Sequence, residues 1–72
     1  MSTLPEYREQ LGWSKVKLAE EAGVTPQIIS KAEDGEPITF RSATKIAQAL
    51  SRGFDKVIMA QHIEGVNVRK ES

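Results

Sequence analysis

The chain has 72 residues, 39% of them hydrophobic, and ten Lys plus Arg balance ten Asp plus Glu to give a formal net charge of zero. A chain this short buries only about 60% of the surface its unfolded form exposes, so one modest core is available and each helix cap matters. The lack of cysteine excludes a disulfide framework and a thiolate metal site, a lone His62 cannot ligate zinc, and no apolar run approaches the ~20 residues of a membrane span.

Punctuation divides the sequence into four or five short helical stretches without strand-like alternation of useful length, which predicts an all-α fold. The first helix opens at Thr3, where Glu6 three positions later completes the pattern of a capping box, and Leu4, Tyr7 and Leu11 fall on one face. Gly12 closes it. Ser14 is the N-cap of a second helix with an inward face of Leu18, Ala19 and Ala22, and Trp13 before it is placed to pack on Leu18 as a staple. Gly23 ends that helix.

Thr25 followed by Pro26 is a strong start signal for a third helix, since the hydroxyl accepts an early backbone N–H and proline lacks a donor where none is needed. This helix runs to about Glu33, stops at Asp34-Gly35, and is followed by a loop of Glu36, Pro37 and Ile38. Thr39 caps a fourth helix, whose Ala43, Ile46, Ala47 and Leu50 recur at i, i+3, i+4 and i+7 until Ser51 to Gly53 breaks it. A fifth is predicted from Asp55 to about Glu64-Gly65, with Phe54, Val57, Ile58 and Met59 packing inward. Residues 1–65 then form one domain and 66–72 a tail, whose alternating Val66 and Val68 suit either a frayed end or a short strand.

The junction between the second and third helices carries the most information. Two helices crossing steeply need a small residue where their backbones approach, which is Ala19, and a turn that tolerates left-handed backbone, which is Gly23. Val24 and Ile29 then plug the wedge between the axes, leaving the opposite face of the third helix free. No Ser-His-Asp spacing, glycine-rich phosphate loop or cluster of metal ligands is visible, so an enzyme is not expected and no cofactor or small-molecule substrate is implied.

The string S-K-V-K-L-A-E-E-A-G-V-T-P-Q-I-I-S-K-A-E-D-G resembles the lambda Cro and CI repressor-like family of helix-turn-helix regulators, over roughly Leu4 to Leu50. The resemblance implies a four- to five-helix domain that binds double-stranded DNA as a homodimer, with the helix at residues 26–33 in the major groove; the lack of an apolar span and of a secretory signal segment in MSTLPEYREQ predicts a cytoplasmic location. It implies base contacts for Gln27 (adenine), Lys31 (guanine O6 or N7) and Ile28 (a thymine methyl). Lys15, Thr25, Ser30 and Arg41 take phosphate-contacting places, and Arg8 with Glu33 the place of a partly buried structural ion pair. Two features depart from the pattern: Pro26 cannot donate to a base, and Asp34 with Glu36 puts negative charge near the DNA path. Together with zero net charge, these leave a second reading open, a protein-interaction module on the same fold.

Overall fold

A computed structural model describes residues 3–69 as four helices, α1 (Leu4–Leu11), α2 (Lys15–Ala22), α3 (Pro26–Glu33) and α4 (Phe40–Phe54), with two three-residue strands, β1 (Pro37–Thr39) and β2 (Asn67–Arg69). The helix starts follow from side chains that satisfy otherwise unpaired N–H groups. Ser14 Oγ accepts from Lys17 N at 3.1 Å, Thr25 Oγ1 from Ile28 N at 3.4 Å and Thr39 Oγ1 from Ser42 N at 3.1 Å. At α1 the Glu6 carboxylate accepts both the N–H and the hydroxyl of Thr3, and the backbone bond holds Glu6 below the usual carboxylate range.

Between α2 and α3 the chain reverses at Gly23, whose φ of 74° lies in the left-handed region that a Cβ disfavours. Its N–H donates to the Ala19 carbonyl, as does that of Val24. The turn thereby satisfies the end of α2. Leu4, Leu18, Ile29, Ile46 and Leu50 are fully buried, so every helix contributes to one core.

Several expectations are corrected. The fourth helix does not break at Ser51 to Gly53 but continues to Phe54, ending where Asp55 turns left-handed at φ 56°. Gly53 is there because of what lies over it: a Cβ would stand 2.8 Å from Leu11 Cδ1 and 3.0 Å from Trp13 Cη2. Trp13 therefore packs on α4 through the space that glycine leaves open.

The fifth helix is absent; one 3-10 turn (Ala60–His62) takes its place, with the His62 ring accepting from Met59 N at 3.2 Å. Its approach is held straight by Ser51, whose hydroxyl accepts from Ile58 N at 2.8 Å and lies 2.8 and 2.9 Å from the Ala47 and Ile58 carbonyls. Ile58 is buried and Phe54 half-buried, its ring edge-on to Tyr7 with centroids 5.6 Å apart, but Val57 and Met59 point outward at 83% and 49% exposure. Ser51→Ala removes both backbone connections of Ile58 and is expected to cost about 1–2 kcal/mol, read as a fall of roughly 5–15 °C in melting temperature.

The stretch expected as a loop contains β1, and the tail supplies its partner: Pro37, Ile38 and Thr39 pair in parallel with Asn67, Val68 and Arg69. A parallel bridge between Thr3 and Glu64 ties the same returning segment to the start of α1. The fold is thus helical with a minor strand pair, and Ile38, at 2% exposure, joins the core.

Candidate nucleic-acid interface

α3 presents two unlike faces because its apolar residues recur on one side only. Ile29 and Ala32 are buried against the core, while Pro26, Gln27 and Lys31 are exposed. Gln27, Lys31 and Asp34 stand at i, i+4 and i+7, one line along the helix. They line a shallow depression with Pro26, Ser30 and Glu36. Lys31 makes no ion pair among the described residues, so its ammonium is free to meet a ligand. Ile28 differs from its neighbours: it is half-buried and packs against the core, which leaves only part of the side chain available.

Beside this face, the crossing of α2 and α3 brings Lys15 and Ser30 together. Lys15 Nζ lies 3.5 Å from Ser30 Oγ, and the lysine side chain remains 45% exposed. A cation and a hydroxyl at this separation form a pair of donors suited to one phosphate oxygen. Thr25 is exposed but its hydroxyl is already engaged as the α3 cap, and Arg41 is exposed in the first turn of α4.

Glu33 anchors the arrangement from below. Arg8 Nε donates to Glu33 Oε2 at 2.7 Å and Arg8 Nη2 to Oε1 at 3.4 Å, with the two side chains only 16% and 7% exposed. The guanidinium also donates to the Trp13 carbonyl at 3.1 Å, and Lys15 Nζ stands 3.9 Å from Glu33 Oε1. One carboxylate therefore meets cations from α1 and α2 at the end of α3, and the tilt of the exposed helix is tied to both.

The charge balance of zero hides a separation along the elements. Cations occupy the first turn of α2 (Lys15, Lys17), the exposed line of α3 (Lys31) and the exposed side of α4 (Arg41, Lys45), while acids cluster on α1 (Glu6, Glu9) and late in α2 (Glu20, Glu21). Lys17 pairs with Glu21 one turn along the surface of α2, 3.0 Å away, and the contact raises it above the ordinary lysine range. Lys45 was not singled out from the sequence. Its position four residues after Arg41, on an α4 that carries no acidic residue, is the signal that exposes it. The nearness of Lys15 and Ser30 had no such signal, because a steep helix crossing creates it.

None of the described helices is long and apolar enough to cross a membrane, and no group of three or more potential metal ligands occurs among the described residues. The sequence matches no curated protein and no solved structure. A family model described as helix-turn-helix does match, over residues 5–57, more than half of the chain and all of α1 from its second residue through α4. With the α2–turn–α3 geometry in place, that match identifies the chain as a member of the lambda Cro and CI type helix-turn-helix family, a family of DNA-binding regulators.

Proposed function

We propose that this chain is a sequence-specific transcriptional regulator that inserts α3 into the major groove of duplex DNA, two copies occupying half-sites about 34 Å apart. The observation that carries this reading is the division of α3: Gln27 and Lys31 project from a helix whose other side is fixed by buried Ile29 and Ala32. Gln27 has the donor and acceptor needed to pair with adenine N7 and N6, and Lys31 donates to guanine O6 or N7. The outer part of Ile28 is a contact for a thymine methyl.

Lys15 with Ser30 holds one phosphate and Arg41 another, and Thr25 adds a contact at the start of α3 while it caps the helix. These groups set register and carry no base preference. The acids support a competing reading: exposed Asp34 and Glu36 edge the same depression, as suits a face that meets a basic protein instead of DNA.

Fluorescence anisotropy with labelled duplexes at several salt concentrations decides between them. Groove docking predicts affinity that falls steeply as salt rises, and Lys15→Ala lowers the slope of log K against log salt by about one on every sequence tried. Absent or salt-independent binding sinks the DNA reading and leaves the interaction module.

A further inference from the structure

A cleft of about 530 Å³ opens between α4, the 3-10 turn and β2, and the reading face of α3 does not account for it. Its base is apolar and well packed: Ala47, Ile58 and Ile63 line it and all three are buried. Phe40 and Met59 stand at its sides, 65% and 49% exposed. No described residue that lines it carries a charge. Its polar side chains are uncharged, Thr44 and Gln48 one turn apart on α4 and Gln61 on the 3-10 turn, and none of the three makes a side-chain hydrogen bond among the described residues.

We propose that the cleft is a binding site for a small, uncharged, largely apolar molecule that carries one amide or hydroxyl group. Its size matches: pockets that take small molecules span about 300–1,000 Å³, with mostly apolar walls and a few polar groups that fix orientation. The free amides of Gln48 and Gln61 and the hydroxyl of Thr44 offer both donors and acceptors to a neutral polar group. A carboxylate or an ammonium in the same place loses hydration and meets no counter-charge.

A protein partner is the poorer fit. Phe40 and Met59 together expose on the order of 200 Å², against about 800 Å² per partner in a stable complex. A small occupant needs no such area, because the cleft surrounds it on three sides. It bridges α4 to the returning segment of residues 58–68, and by mass action it stabilises the chain that holds this segment in place.

Probes that share an eight-carbon chain test the assignment: octanamide, octanoate and octylammonium. In an NMR titration of the ¹⁵N-labelled chain, octanamide is expected to shift the backbone amides of Ile58, Ile63 and Val68 saturably, with a Kd of about 0.1–1 mM. Each of the two ions binds at least about 10-fold more weakly. At about three times its Kd, octanamide raises the melting temperature by roughly 3–6 °C. Thr44→Phe, which fills the cleft with a ring, weakens octanamide by about 10-fold. Gln48→Lys, at an exposed position, tightens octanoate by about 5- to 10-fold. Circular dichroism confirms that each variant keeps its helices.

Shifts that show no saturation by about 3 mM, shifts centred on α1 to α3, or equal affinities for the three probes overturn the proposal. So does octanamide binding that a folded Thr44→Phe leaves unchanged. If that variant does not fold, octanoate binding unchanged in Gln48→Lys has the same force. No DNA is present in these measurements, so their outcome is separate from that of groove docking.

Discussion

Glu33→Ala is expected to destabilise the domain by about 2–4 kcal/mol, a larger loss than removal of an exposed charge produces. The reason lies in what the carboxylate leaves behind. Arg8 is only 16% exposed, and without Glu33 its guanidinium retains the Trp13 carbonyl as its protein acceptor. A guanidinium so placed is neither paired nor properly hydrated, and the desolvation it suffered on folding is no longer offset. The residual exposure of both side chains keeps the figure below the ~3–5 kcal/mol of a fully buried pair.

For a domain of this size, 1 kcal/mol shifts the melting temperature by about 4–8 °C, so the variant should melt roughly 10–25 °C below the parent. Arg8→Met should cost less, because Glu33 keeps Lys15 at 3.9 Å and can draw it closer. The double variant Arg8→Met with Glu33→Leu should recover much of the loss, since a packed apolar pair has no charge to strand. A Glu33→Ala loss under about 0.5 kcal/mol would show instead that the pair is solvated and that it contributes little more than a surface bridge.

The same residues show what can be read from sequence and what cannot. Ser14, Thr25 and Thr39 mark helix starts because an N-cap acts over three residues, a distance at which the neighbours in sequence are the neighbours in space. Gly23 was legible for that reason too. Gly53 was misread as a breaker because its role depends on Leu11 and Trp13, about forty residues away, which occupy the volume a Cβ would need.

The alternation of Val66 and Val68 left a short strand open, but its partner was hidden by the same distance: Ile38 lies thirty positions before Val68, in a stretch that reads as a loop. In the predicted fifth helix, Ser51 decides the outcome by taking both backbone groups of Ile58. Of the candidate site, Gln27 and Lys31 on α3 were named by the family resemblance, whereas the half-burial of Ile28 and the Lys15–Ser30 contact depend on how α2 and α3 cross.

Lys31→Ala carries the largest functional effect expected of one side chain. Lys31 is exposed and unpaired among the described residues, so its removal should leave the melting temperature within about 2–4 °C of the parent. On duplexes recovered by selection from a random pool, affinity should fall about 10- to 100-fold, the worth of roughly 1–3 kcal/mol for a contact to guanine. The loss should be confined to the sequence that contains the guanine. On duplexes with that base pair changed, parent and variant should bind within about twofold of each other, because the parent has already lost the contact. Replacing the guanine by 7-deazaguanine in the selected duplex should reproduce part of the effect for the parent and none for Lys31→Ala. Lys15→Ala provides the contrast, since a phosphate contact is lost equally on every duplex. Were Lys31→Ala to weaken all sequences alike, the ammonium would be a phosphate anchor, and base choice along α3 would fall to Gln27 and the exposed part of Ile28.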